Sequence, residues 1–86
     1  MERTKRRART SWARARRRVL AALTDRQVQF LRLVCQVHEP TYTAIADTMG
    51  VSVGTVHGYR ERLFQRFDIH SKVGLVLFAY RWGIVG

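Results

Sequence analysis

The sequence predicts an all-α chain, a bundle of four helices behind a basic N-terminal arm, on three observations. Apolar side chains between residues 24 and 82 recur with the 3.6-residue period of a helix. Each of these stretches is preceded by a hydroxyl residue suited to capping a helix, namely Thr24, Thr41, Ser52 and Ser71. Nowhere do polar and apolar residues alternate with period two for long enough to make a sheet. At 86 residues the chain is one domain at most, with a core just large enough to fold without disulfides or metal.

The first helix opens on "LTDRQV", a capping box in which Thr24 caps and Gln27 reaches back, flanked by Leu23 and Val28 as a hydrophobic staple. Val28, Leu31, Val34 and Cys35 form its inward stripe, and it should stop before Pro40. The second is short: Thr41 caps it, Ile45, Ala46 and Met49 face inward, and Gly50 can take the left-handed conformation that ends a helix. Ser52 starts the third, whose inward positions are Val56, Tyr59 or Arg60, Leu63 and Phe67. Ser71 starts the fourth, which runs to about Trp82 and is closed by Gly83.

Two short helices joined through Gly50, Val51 and Ser52 cross steeply, which makes a helix-turn-helix. Ala46 lets the helices approach, Gly50 makes the turn and Val51 plugs it, so the second helix projects a polar face of a size to enter a DNA major groove. The same hairpin could also simply pack a small bundle.

The formal charge is +10, and most of it sits at one end. Residues 1–18 hold nine Arg or Lys against Glu2, a net +8, and the remaining 68 residues contribute +2. Such a run points to nucleic acid first and an anionic membrane surface second, with a solvated linker as the bland alternative. The chain therefore divides into a basic arm or linker, residues 1–18, and a helical domain, residues 19–86. Trp12, Ala15, Val19, Leu20 and Leu23 recur at helical spacing, so the arm is expected to be helical from about Trp12 and disordered before it in the free protein.

Cys35 is the only cysteine, which excludes an intrachain disulfide and any zinc site built from several thiolates, and fits a reducing cytoplasm. The apolar stretch after Arg6 and Arg7 is too short for an export signal. The longest strongly apolar run, "VGLVLFAY" at 73–80, is less than half of the roughly 20 residues that a membrane span needs. Catalysis finds no footing: His38 with Glu39, and His70 with Ser71, lack a third partner, and His38, His57 and His70 lack metal-ligand spacing. No cofactor is expected.

Over residues 23–85 the chain resembles the LuxR/NarL/GerE type of DNA-binding domain. "LTDRQVQFLRLV", "IADTMGVSVGTVHGYRERLFQRF" and "SKVGLVLFAYRWGIV" stand in that family's order and spacing. The likeness is strongest to response-regulator effector domains with "TVDGYRxxLF" in the third helix. It implies a four-helix, sequence-specific fold that binds double-stranded DNA in bacterial transcription regulation on the nucleoid, commonly as a dimer joined through the fourth helix, with RNA polymerase as a further partner. It also implies that His57, Gly58 and Glu61 face bases, and that Thr55, Arg60, Arg62 and Arg66 lie near phosphates. Helix geometry independently puts 54, 57, 58 and 61 on one face, opposite Val56, Leu63 and Phe67, which adds Gly54 to the base-facing set. Imidazole can donate to or accept from a base edge, and the Glu61 carboxylate can accept from a cytosine amino group. The plain alternatives are an idle surface histidine and a solvated glutamate. Gly54 and Gly58 each cost about 1 kcal/mol relative to Ala in a helix. Their spacing suits either a close approach to DNA or close packing on another helix.

The chain departs from the family pattern in two places. Gln27 stands where Glu is usual, a change that capping tolerates. Thr43-Ala44 stands where Lys-Glu usually precedes "IA", so a charged phosphate contact is replaced by the Thr43 hydroxyl or the helix N-terminus. Residues 73–80 carry no charge, and a helix apolar all round must be buried all round. The fourth helix is therefore expected to pair with its twin through some of Leu75, Val76, Ala79 and Trp82, giving a two-fold dimer on an inverted repeat. No receiver or ligand-sensing domain lies within these residues, so the chain is expected to be a stand-alone regulator or a fragment whose signal is sensed elsewhere. The rival function is a protein-interaction module whose arm binds nucleic acid without sequence preference.

Overall fold

The computed structural model describes the backbone of residues 2–86 and the side chains from Ser11 onward. The order is α1 (Glu2–Ala21), α2 (Asp25–Val34), α3 (Tyr42–Met49), α4 (Val53–Phe67) and α5 (Lys72–Arg81), with no strand among the described residues. The four helices expected from the sequence are α2 to α5. The arm adds α1, which begins upstream of the start at Trp12 that the apolar spacing gave.

Local chemistry sets the boundaries. Thr24 Oγ1 accepts from the Gln27 amide at 3.1 Å while Gln27 Oε1 accepts from the Thr24 amide at 2.9 Å, completing the capping box of α2. Thr41, Ser52 and Ser71 each accept from the amide three residues on. Gly50 sits at φ 68°, ψ 35°, and the Val51 amide donates back to the Ala46 carbonyl at 3.0 Å, which turns the chain between α3 and α4. Asp68 ends α4 in the same left-handed region without being glycine.

The core joins Phe30, Leu31 and Val34 of α2 to Ile45, Ala46, Met49, Val56 and Leu63 of the hairpin, and to Leu75, Phe78 and Ala79 of α5. Phe30 is fully buried although the inward stripe omitted it, while Val28 and Cys35 are only partly buried. The reason is topological: α2 packs against α3, α4 and α5 together, so its buried arc is wider than one stripe. Cations tie the ends of the bundle to carbonyls. Arg26 donates to the Met49 carbonyl at 3.2 Å, and Lys72 Nζ to the Pro40 carbonyl at 2.7 Å.

On α5 it is the choice of residues expected at the pairing face that is corrected. Leu75 and Ala79 are completely buried in their own protomer and cannot reach a partner. Val73, Leu77 and Tyr80 are instead 67%, 64% and 56% exposed, and with half-buried Val76 they stand at i, i+3, i+4 and i+7 on one face. The bundle, chiefly α2, covers one side of this apolar helix and leaves the other bare. Trp82 is corrected as well: its ring stacks on Trp12, and its carbonyl accepts from Arg16 Nε at 2.9 Å, so its contact is α1.

Candidate nucleic-acid interface

The outward face of α4 begins at its N-terminus. Ser52 Oγ accepts from the Thr55 amide and lies 3.0 Å from Thr55 Oγ1, so the Thr55 hydroxyl is held at the helix entrance. Neither α3 nor α4 carries an acidic side chain in its first turn, which leaves the positive end of each helix unneutralised and open to an anion. Thr43 is exposed on the first turn of α3, so its hydroxyl faces solvent beside that end.

Further along, Ser52, Gly54, Thr55, Gly58, Tyr59 and Arg62 line a shallow open depression. A Cβ built on Gly58 would meet nothing within 4 Å, and one built on Gly54 would meet only Ser52 Oγ at 3.7 Å, an ordinary contact. Close packing on another helix, which the sequence left open, is therefore not the reason for either glycine. Both lie on a bare surface.

His57 is partly buried, with its ring edge-on to Tyr42, centroids 5.7 Å apart and planes at 86°. Glu61 projects outward, and its Oε1 accepts from Arg60 Nε at 3.2 Å and Nη2 at 3.0 Å. Arg62 and Arg66 are exposed. Arg60, expected near phosphates, is engaged within the free protein. Its side chain is only 26% exposed, its guanidinium lies 5.3 Å from the Tyr42 ring centroid and 6.0 Å from that of Phe64, and its fork is spent on Glu61. Both Tyr59 and Arg60 are half-buried, so the choice between them as the inward residue has no single answer.

Tyr42 of α3, which the sequence did not single out, lies beside this face in contact with His57 and Arg60. Its ring packs against Phe30 at 6.2 Å and lies 4.8 Å from Lys72 Nζ, besides touching His57 and Arg60. Burial pushes its phenol pKa up, with Arg60 opposing that shift. An aromatic immediately after the Thr41 cap was the available signal.

The paired residues considered for catalysis lie elsewhere. His70 Nε2 meets Asp68 Oδ1 at 3.1 Å with both side chains largely in solvent, and Ser71 Oγ is occupied as the α5 cap. His38 and Glu39 are exposed in the α2–α3 loop. No helix among the described residues is long and apolar enough to cross a membrane.

Comparison with known proteins bears on what this face belongs to. The family model described as bacterial regulatory proteins, luxR family, matches residues 21–79. The response regulator GacA of Pseudomonas aeruginosa is 34% identical over 64 residues, covering 74% of this chain and 29% of that protein. GacA of Pseudomonas protegens is 36% identical over 66 residues, with the same coverage. The response regulator UvrY of Escherichia coli K12 is 30% identical over 64 residues, covering 74% of this chain and 28% of that protein. The matched region thus spans less than a third of each of these relatives. No solved structure matches the chain. With a matched segment that takes in α2, α3, α4 and most of α5, the chain belongs to the LuxR family of bacterial regulatory proteins, as a helix-turn-helix regulator domain.

Proposed function

We propose that the domain binds double-stranded DNA sequence-specifically, with α4 in the major groove. The observation that carries this reading is the bare Gly54–Gly58 face. Gly58, inside α4, costs about 1 kcal/mol relative to alanine and Gly54, in the first turn, costs less, and no intramolecular contact offsets either. A groove wall approaching closer than a side chain allows would supply the compensation. His57 and Glu61 flank the glycines on the same face and read base edges, and Thr43, Thr55, Arg62 and Arg66 meet phosphates around them. The basic α1 adds affinity without reading sequence.

Two domains pair on an inverted repeat through the exposed α5 face of Val73, Val76, Leu77 and Tyr80, with Leu75, Ala79 and Trp82 supporting it from within each protomer. Because the relatives are response regulators several times longer than the matched region, the domain acts as the output end of a regulatory system, and RNA polymerase is the partner that a DNA-bound regulator of this kind would meet.

The test is selection of bound duplexes from a random pool, followed by salt titration on the selected and a scrambled duplex. A regulator enriches an inverted repeat and keeps a large ratio between the two duplexes as salt rises. A module whose arm merely holds nucleic acid enriches nothing and loses both together.

A further inference from the structure

The side chains assigned to base reading are not independent of the rest of the hairpin. A glutamate on an exposed helix face samples many rotamers, and an interaction made only after ordering such a side chain gives up part of its energy to that ordering. Glu61 is already held. Both Arg60 bonds converge on its Oε1, and among the described residues no hydrogen bond engages Oε2. Arg60 is fixed in turn, because its guanidinium lies over the Tyr42 ring at 5.3 Å. The same ring meets the His57 imidazole edge-on at 5.7 Å. Tyr42 itself is locked from behind by Phe30, which is fully buried, and by Lys72, whose Nζ lies 4.8 Å from the ring and donates to the Pro40 carbonyl just before the α3 cap.

We infer that Tyr42 is a specificity-positioning residue: from α3 it orients His57 directly and Glu61 through Arg60, so that the base preference of α4 is set partly by a side chain that touches no base. This rests on the proposal that His57 and Glu61 read bases. The ring supplies both contacts at once. Its edge-on packing restricts the imidazole plane, and its face restricts the guanidinium that presents the carboxylate. Arg60 therefore acts as a relay, and severing it should disturb Glu61 while leaving His57 in place.

The test compares base-preference profiles, measured on a panel of single-base variants of the selected duplex, for the intact chain and for Tyr42→Leu, Tyr42→Phe, Arg60→Gln, His57→Ala and Glu61→Ala. The expected result is that Tyr42→Leu lowers discrimination about three- to tenfold at the base pairs relaxed by His57→Ala and Glu61→Ala. Tyr42→Phe, which keeps the ring, restores the profile, and Arg60→Gln relaxes only the Glu61 position. A readout in the free protein accompanies it: the His57 ring-proton resonances, displaced by the Tyr42 ring current, should return toward ordinary values in Tyr42→Leu and stay displaced in Tyr42→Phe. If Tyr42→Leu weakens all duplexes equally and leaves the profile intact, or if Arg60→Gln leaves the Glu61 position unchanged, the positioning role is overturned. Should Tyr42→Leu fail to fold, Arg60→Gln decides the relay by the same comparison. A profile untouched by His57→Ala and Glu61→Ala would instead overturn direct reading, and the inference built on it.

Discussion

Trp12 and Trp82 stack with ring centroids 6.4 Å apart and planes 15° from parallel, joining α1 to the end of α5 across 70 residues of sequence. Arg16 reinforces the joint by donating to the Trp82 carbonyl at 2.9 Å while its guanidinium stands 6.0 Å from the Trp12 ring centroid. Val19, Leu20 and Leu23 continue the contact into the core. The last turns of the arm are thus anchored to the domain. Trp12→Ala should cost about 1 kcal/mol and release α1 selectively. Hydrogen exchange checks this: amides near residues 12–18 lose protection while those of α2 to α5 keep theirs. Uniform loss throughout would mean that α1 belongs to the cooperative core.

The glycines of α4 predict a split between stability and binding. Gly58→Ala should stabilise the fold by up to about 1 kcal/mol, since the added methyl meets nothing and glycine is the poorer helix former. The same methyl stands where a groove wall would approach, so affinity for the selected duplex should fall. Chemical denaturation and duplex titration on one variant measure both. Higher stability with undiminished affinity would remove Gly58 from the interface.

The two faces of α5 should respond oppositely to mutation. Leu77→Arg alters a 64% exposed position and should leave the fold intact while abolishing cooperative binding to the full inverted repeat. Leu75→Ala empties a fully buried position and should cost about 2–5 kcal/mol of stability. Unfolding curves and half-site versus full-site titrations separate the outcomes. Unchanged cooperativity in a folded Leu77→Arg would show that this face does not pair.

The arm predicts a salt effect. Each phosphate contact contributes about 0.9 to the slope of log K against log salt. Deleting residues 2–11 removes five basic side chains and one acidic one, and should flatten that slope by roughly 2 to 4 units while leaving the preferred sequence unchanged. An unchanged slope would make the segment a passive linker. A changed preference would mean that it enters the minor groove. Residues 2–11 are helical in α1, where the sequence led to an expectation of disorder in the free chain, and the exchange of their amides with and without duplex decides between the two.

Burial pushes the Cys35 thiol above its ordinary value. A group that holds its proton more tightly when folded contributes stability fully below its unfolded pKa, and that contribution disappears as pH rises through the folded one. Unfolding free energy should therefore decline from the ordinary thiol range upward, and less so in Cys35→Ala. Urea titrations across that alkaline window measure the difference. Identical pH dependence in the two chains would exclude Cys35 as a source.

Local chemistry by itself determined where the helices of the domain begin and turn. Thr24 with Gln27, Thr41, Ser52 and Ser71 can satisfy free amides only at a helix start, and Gly50 is the residue that tolerates the left-handed turn between α3 and α4. The motif order likewise carried the family, because the turn and the recognition helix are contiguous in the chain. Only the tertiary structure decided what depends on distant neighbours. Leu75 and Ala79 cannot be told from Val73 and Leu77 by composition, since an all-apolar helix carries no polarity to mark its inward side, and packing against α2 makes the choice. Phe30 joined the core because three helices surround α2. Arg60 and Tyr42 meet only when α3 and α4 cross, which sets the guanidinium of an expected phosphate ligand over an aromatic ring and against Glu61. Trp12 found Trp82 for the same reason: side chains far apart in sequence are brought together by the crossing of helices, and no local period records that.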